Sequence, residues 1–350
     1  MSDLNRAIDT IRRRDWDKMR ASWLDRTALV ENISSDEGIA TCDVINIREI
    51  CKELNEQWHD AERHHRTALE KYDQECRLKY SKQLAKKRDL PKETEERARY
   101  DNNQTRLRFQ KCNGKKCEVP GFPETLFCEA LRLIHKAVHV LGCAEMDADC
   151  GMRSWSLSTG YHAGLFAGKG IIALCGIGFV EIEGKTLLAD IFSEPVESPS
   201  DYDGIKFNFI NYRLDHKDVW NVLQRILAIT VCEIWPKDAI DKLKAVEEKL
   251  FARQRNELHY KSRHWPLPDL YEFLTEGPFG GIESWNIDGE DIDFEREDIS
   301  LVVSLYLVKM ALVLIRDFAN HSNKFNAEIA LFRNAATPER HPFYHELLSV

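Results

Sequence analysis

The chain has 350 residues and a formal net charge of −9, with 43% hydrophobic, 31% charged and 10% aromatic residues. This composition is typical of a globular protein with a sizeable core and excludes collagen-like and linker-dominated chains. No apolar run reaches the roughly 18 residues of a membrane span, and charged residues occupy the N-terminal positions where a signal peptide needs its apolar stretch. The sequence therefore predicts a soluble, cytoplasmic protein with no membrane association and about two domains, or one domain with a long extension.

The N-terminal part of the chain predicts a charged helical arm. Residues 3–31 have apolar positions at helical spacing, and residues 46–111 are rich in Ala, Glu, Lys, Arg and Gln. The apolar stripe of the second stretch is narrow, which favours a coiled-coil-like two-helix arm over a core helix. Residues 62–118 hold seventeen Lys and Arg against ten Asp and Glu, so the arm is basic.

A Gly- and Pro-rich boundary at residues 112–123 separates this arm from a helical domain, and we divide the chain into residues 1–118 and residues 119–350. The last helix of the domain is apolar nearly all round and is therefore expected at the buried centre. The predicted elements are a helix opened by Pro123 and Glu124 that stops at Gly142, a helix over residues 157–176 capped by Ser158 or Thr159, a β-hairpin about Glu183, Gly184 and Lys185, helices over residues 216–235 and 237–260, and a final helix over residues 299–321.

Ten cysteines are too few for a disulfide scaffold, and reduced thiols are expected in a chain without a secretion signal. Cys112 and Cys117 are the one close pair, with a spacing that matches half of some zinc knuckles, and Cys128 follows. A structural zinc site needs four ligands, and no histidine lies nearby at a finger-like spacing. A turn with two thiols is the favoured interpretation, and the sequence predicts neither a metal nor another cofactor.

A dense set of polar side chains lies near the C-terminal end of the helix over residues 237–260. Arg255 and His259 lie about 40° apart on one helix face, and Arg253 lies about 120° from His259. A histidine can move the 2′-hydroxyl or leaving-group proton of RNA, and an arginine can neutralise the scissile phosphate. No metal is needed in that chemistry because the 2′-hydroxyl supplies the nucleophile. Exposed ion pairs at a helix end are the alternative interpretation.

The helix YHAGLFAGKGIIALCGI and the segment RQRNELHY together resemble the HEPN superfamily, all-α domains that dimerise and are often metal-independent ribonucleases. The first resembles the family's Tyr-, Ala- and Phe-rich early helix, and the second its motif of an arginine followed after four to six residues by a histidine. The resemblance covers residues 124–325. It implies a mainly α helical bundle of HEPN type, here with a small β-hairpin insertion and the N-terminal arm, in which two motifs meet across a homodimer interface.

The resemblance assigns His259 as the general acid or base. Arg253 has the fitting spacing, with five residues before His259 and Gln254 in the polar position. Arg255 and Asn256 look most like the family's arginine and polar residue, yet only three residues separate Arg255 from His259. Both arginines therefore remain candidates for the phosphate clamp. Asn256 and Tyr260 would orient the phosphate or the histidine. Arg263 follows the helix and would extend the phosphate-binding face, with solvation of the helix end as the alternative interpretation.

Two functions follow from this interpretation. The preferred one is a metal-independent endoribonuclease that cleaves RNA as a defence or toxin–antitoxin effector, with its basic arm guiding RNA or holding an antitoxin or other regulatory protein. The acidic residues 283–298, with eight acids and one arginine, would restrain it by covering basic surface. The alternative is a non-catalytic HEPN-like dimerisation module that docks a partner through the N-terminal arm.

Overall fold

The computed structural model describes residues 3–27, 114, 116–117, 122–150, 152–182, 185–193, 205–235, 240–241, 243–244, 246, 299–326 and 329–330. These residues are mostly helical, with a small antiparallel sheet, as predicted for a mainly α protein. The helices are α1 (Asp3–Thr10), α2 (Trp16–Thr27), α3 (Phe122–Asp149), α4 (Arg153–Leu174), α5 (His216–Ile229) and α6 (Ile299–His321), with a short 3-10 turn at Asn323–Phe325. The strands are β1 (Arg14–Asp15), β2 (Lys116–Cys117), β3 (Ile177–Ile182), β4 (Lys185–Asp190), β5 (Ile205–Ile210) and β6 (Thr230–Val231).

The predicted two-helix arm over residues 46–111 and the acidic segment over residues 283–298 lie outside the described residues. The predicted division at residue 118 therefore stays a prediction.

α6 is the central helix of the described fold, as its apolar sequence predicts, and every side chain at positions 303–312 is buried. It packs closely against α4, where Gly164 faces Ser304: a Cβ added at Gly164 would lie 3.1 Å from the Ser304 Cα. The small residues of α4 thus let the two backbones approach. In the part of the chain that the structure describes, no helix is both long enough and apolar enough to cross a lipid bilayer.

α3 and α4 form an antiparallel hairpin whose bounds differ from the predicted ones. The predicted stop at Gly142 is wrong, because α3 continues past it. Glycine inside a helix costs only about 1 kcal/mol, and the neighbouring Leu141 and Ala144 are fully buried. α4 begins at Arg153, before the predicted cap at Ser158. Tertiary packing therefore decides both helix ends.

The prediction of one helix over residues 3–31 is also wrong, because the chain leaves the helix after α1, forms β1 and then enters α2. Arg14 of β1 turns into the core and pairs with Asp190, and β1 lies parallel to β6. α2 then packs its indoles inward: Trp16 Nε1 donates to Asp317 Oδ2 at 2.7 Å, and Trp23 Nε1 donates to the main-chain oxygen at the C-terminal end of α4, also at 2.7 Å. These tertiary contacts override a helical preference that is only local.

The predicted β-hairpin is confirmed by β3 and β4, which pair in antiparallel register with Ile182 opposite Lys185. It is part of a larger antiparallel sheet with the order β2-β5-β4-β3. β5 is absent from the predicted elements although Ile205, Phe207 and Phe209 alternate with less apolar residues. The helix predicted over residues 216–235 ends at residue 229, where the chain straightens into β6.

Candidate functional site

The predicted Arg/His motif lies outside the described residues, so the roles of its side chains stay predictions. Those residues are Arg253, Gln254, Arg255, Asn256, His259, Tyr260 and Arg263. Cys112 and the side chain of Cys117 also lie outside the described residues, so the predicted turn with two thiols stays a prediction. Among the residues that are described, no group of three or more His, Cys, Asp and Glu side chains could hold a metal ion.

Another set of proton-transferring groups meets between α4 and the start of α5. The Tyr161 hydroxyl lies 2.6 Å from Nδ1 of His216, which is a hydrogen-bond distance. The His162 ring lies beside both, with its centroid 5.3 Å from that of Tyr161 and 6.3 Å from that of His216. We call Tyr161, His162 and His216 the histidine–tyrosine cluster.

α4 fixes the tautomer of His162. Its Nδ1 lies 2.8 Å from the main-chain oxygen of Ser158, one turn earlier in the helix. Because a carbonyl oxygen can only accept, Nδ1 carries the proton, and Nε2 of the neutral ring holds the lone pair. The neighbouring Tyr161 is buried, whereas His162 is half-buried. His162 therefore offers Nε2 as a proton acceptor beside the Tyr161–His216 pair.

A capping box fixes the start of α5 and with it the position of His216. The Asp215 carboxylate accepts from the Asp218 main-chain N–H at 3.0 Å, and the Asp218 carboxylate accepts from the Asp215 N–H at 3.1 Å. The Tyr212 hydroxyl also donates to Asp218, at 3.4 Å. Burial and the nearby Asp218 raise the pKa of Tyr212 to about 12, and burial raises the pKa of Asp218. The carboxylates next to His216 are thus held by their own helix turn.

A small pocket opens beside the cluster, with Tyr161, His216, Lys217 and Trp220 in its lining. Its volume is about 30 Å³, which is room for a water molecule. A nucleobase does not fit into that space. A ligand of the cluster must therefore bind at the rim, where Lys217 is exposed.

Comparison with protein-family models, with curated proteins and with solved structures finds no match for this chain. The HEPN resemblance accordingly stays an expectation drawn from its residues.

Sequence reasoning missed the histidine–tyrosine cluster. Tyr161 and His162 lie at the start of the segment that resembles the early helix of the HEPN superfamily, and that resemblance gives neither residue a role. Asp215 is a typical N-cap residue directly before His216 and predicts where α5 begins. Tyr161 and His216 are 55 positions apart, with β3, β4 and β5 between them, and no local pattern indicates that the two side chains meet.

Proposed function

We propose that this chain is a metal-independent endoribonuclease of HEPN type, which cleaves RNA through attack of a 2′-hydroxyl on the adjacent phosphate. The observation that supports the ribonuclease chemistry is the histidine–tyrosine cluster, in which the two imidazole centroids lie 6.3 Å apart, so that one phosphodiester can contact both. Such a reaction needs a base for the 2′-hydroxyl and an acid for the leaving oxygen, and histidine serves either role near neutral pH. The HEPN assignment rests on the predicted Arg/His motif.

The protons can be assigned within this cluster. His162 takes the 2′-hydroxyl proton at Nε2, the 2′-oxygen forms a bond to phosphorus, and the bond from phosphorus to the 5′-oxygen breaks. Protonated His216 gives its proton to the departing 5′-oxygen while Tyr161 holds the other ring nitrogen. The products are a 2′,3′-cyclic phosphate and a 5′-hydroxyl.

The predicted motif is the second candidate for the same chemistry. In it His259 is the general acid or base, and Arg253 or Arg255 is the phosphate clamp of a site shared by two protomers. Asn256, Gln254, Tyr260 and Arg263 would bind or orient the RNA. An endonuclease of this kind needs restraint in the cell, which is the reason to expect an antitoxin or another regulatory partner.

The test is cleavage of a mixed RNA pool by the purified full chain in EDTA. Wild type is compared with His259→Ala, His162→Ala and His216→Ala, and with His321→Ala as a matched control on the last turn of α6. Loss of a general acid or base lowers the rate about 100- to 10,000-fold. Product ends are identified as cyclic phosphate by phosphatase resistance.

Each result of this experiment is informative. If only His259→Ala loses RNA cleavage, the reaction belongs to the predicted motif. If His162→Ala and His216→Ala lose RNA cleavage, the reaction belongs to the histidine–tyrosine cluster. Activity that survives all three substitutions would mean that neither site is catalytic. Absence of cleavage by the wild-type chain, or cleavage only with added metal, contradicts the proposed function.

One observation favours the alternative, a non-catalytic interaction module. Large apolar side chains are exposed around the turn between α3 and α4, with Met146 55%, Met152 45% and Trp155 52% exposed. Grouped exposed apolar side chains are typical of protein–protein contacts. If this turn joins two protomers, Met152→Ser with Trp155→Ser should convert a dimer to a monomer in sedimentation equilibrium, whereas Ile234→Ser, another exposed apolar residue, should not. A wild-type chain that is monomeric throughout excludes this contact.

A further inference from the structure

The α3–α4 hairpin lacks carboxylates over most of its length. The chain as a whole contains 58 Asp and Glu and has a net charge of −9, yet residues 130–144 and 150–180 contain none. The same two stretches contain four Lys and Arg and three His. The acids of α3 lie towards its two ends, at Glu124 and Glu129 and at Glu145, Asp147 and Asp149. The middle of the hairpin is therefore a place where negative charge can be bound.

The cations of the hairpin are ordered along the helices. Residues at positions i, i+4 and i+7 share one helix face. Each of the two helices has one such stripe, which is exposed on α3 and half-buried on α4. The six residues, which we call the α3–α4 basic face, are Arg132, Lys136 and His139 on α3 and His162, Phe166 and Lys169 on α4.

The two stripes form one surface because the helices are in contact along the hairpin. Lys136 Nζ lies 4.1 Å from the centroid of the Phe166 ring. Towards one end, a Cβ added at Gly170 would lie 3.2 Å from the main-chain oxygen of Ala130. Towards the other, Thr159 donates to Asp147 at 3.1 Å. Each stripe spans about 10 Å at 1.5 Å per residue.

Two charges of this face, Lys136 and Lys169, are available to a ligand, whereas Arg132 has an interaction of its own and lies one turn from the exposed Glu129. Within the part of the chain that the structure describes, neither Lys136 nor Lys169 has a carboxylate partner. Lys136 lies over one face of the half-buried Phe166 ring. A nucleobase can stack there while the lysine moves to a phosphate. Aromatic rings between cations are the usual means of binding single-stranded nucleic acid.

We propose that the α3–α4 basic face binds single-stranded RNA and leads its backbone to His162, which belongs to both the face and the histidine–tyrosine cluster. The choice of RNA over another polyanion as the ligand rests on the proposed function. The binding itself does not depend on cleavage.

The test is fluorescence anisotropy with the full chain and a labelled RNA of about 16 nucleotides. Its 2′-oxygens are methylated, so that it cannot be cleaved. The variant Lys136→Ala/Lys169→Ala is compared with Arg12→Ala/Lys18→Ala, which removes two exposed cations elsewhere and changes the net charge equally. Circular dichroism and thermal unfolding verify that both variants fold.

We expect wild-type affinity to fall steeply between about 50 and 200 mM salt, because phosphate contacts release counterions. Lys136→Ala/Lys169→Ala should bind at least ten-fold more weakly, with the slope of log affinity against log salt reduced by about 0.7 for each lost contact. Arg12→Ala/Lys18→Ala should bind as wild type does. Phe166→Leu should weaken RNA binding about ten-fold through loss of stacking.

Equal affinity of the two double variants, or no binding by the wild type, overturns the proposal. A polyglutamate peptide is titrated in parallel. If it binds through Lys136 and Lys169 while RNA binding is indifferent to Phe166→Leu, the face accepts an acidic peptide such as residues 283–298, and RNA is the wrong ligand. If the chain binds the methylated RNA as expected but does not cleave unmodified RNA, the proposed function is contradicted and the proposed binding face is supported.

Discussion

Arg14 and Asp190 form an ion pair in which each side chain is 1% exposed and Nη2 lies 2.8 Å from Oδ1. Arg14 also donates to the main-chain oxygen of Cys175, and Asp190 accepts from the Phe192 main-chain N–H at 3.0 Å. A buried charge is tolerated only when it is paired and hydrogen-bonded. This pair therefore joins β1 to β4 and to the end of α4 as long as both partners are present.

Loss of one partner of this ion pair should lower the free energy of unfolding much more than replacement of both partners. Arg14→Ala leaves the Asp190 carboxylate buried without a counterion, and we expect the free energy of unfolding to fall by about 3–5 kcal/mol. Arg14→Met with Asp190→Leu should cost far less, since two apolar side chains replace the pair. Urea unfolding measures both, and Arg13→Ala is the exposed neighbouring control. An Arg14→Ala protein within about 0.5 kcal/mol of wild type would contradict the role of the pair.

Burial makes Cys175 a titrating group for stability at high pH. It raises the pKa of this thiol from 9.0 to about 12. From pH 9 to 12 the unfolded chain has lost this proton and the folded chain retains it, so stability is intact below this range and falls as pH rises through it. The expected slope is about 1.4 kcal/mol per pH unit. Cys175→Ala should remove that contribution from urea unfolding curves.

The control for this experiment is Cys150→Ala, whose side chain is exposed. It should retain the wild-type dependence on pH. Burial also raises the pKa of Cys232 to about 12, so the Cys175→Ala curve should become flatter without becoming level. An unchanged slope in Cys175→Ala would show that this thiol is not buried in the folded protein.

At the scale of elements, Gly164 lies where the backbones of α4 and α6 come close together. A methyl group at Gly164 would meet the Cα and Cβ of Ser304 at 3.1 and 3.0 Å, and backbone atoms cannot rotate away. Gly164→Ala should therefore destabilise the protein by about 1–3 kcal/mol, although alanine is the better helix former. At Gly168 the methyl group meets only the end of Leu223, at 3.0 Å, so Gly168→Ala should be nearly neutral. Thermal unfolding compares the two, and equal melting temperatures would exclude a tight α4–α6 contact.

Elements with a strong local pattern were predictable from the sequence. α6 is apolar all round and is central, and the β3–β4 hairpin follows from alternation about a glycine-containing turn. Prediction failed where a distant partner overrides the local pattern. Gly142 does not end α3 because its neighbours are buried, and β1 exists because Arg14 finds Asp190 far along the chain.

The candidate sites also differ in whether a local sequence pattern or a distant contact defines them. The Arg/His motif was recognisable because Arg253, Arg255 and His259 lie within two turns of one predicted helix. The histidine–tyrosine cluster was not, because His162 and His216 come together only once α4 and α5 pack. The absence of acids from residues 130–144 and 150–180 is a property of the sequence, but it indicates a charge preference without a geometry.

At the scale of the whole molecule, the N-terminal helices belong to the core. α2, α3 and α6 share an aromatic cluster, in which Trp16 and Phe318 have centroids 5.3 Å apart and Trp23 and Phe127 5.2 Å apart. Asp317 of α6 is held by two α2 residues, since it accepts from the Trp16 indole and at 2.6 Å from Arg20. Helix packing in this molecule is thus completed by residues from the first tenth of the chain.

A domain that begins at residue 119 would have to fold without α1 and α2. Removal of residues 1–27 exposes Phe127 and Phe318 and leaves Asp317 without its indole and guanidinium partners, so the remaining chain should not fold. Circular dichroism and sedimentation would report it as unfolded or aggregated. Trp23→Ala in the full chain should cost about 3–5 kcal/mol because its indole is fully buried, whereas the exposed Trp155→Ala should change stability by less than about 0.5 kcal/mol. A cooperative, monodisperse fragment lacking residues 1–27 would instead show that α1 and α2 are an appendage to an independent core.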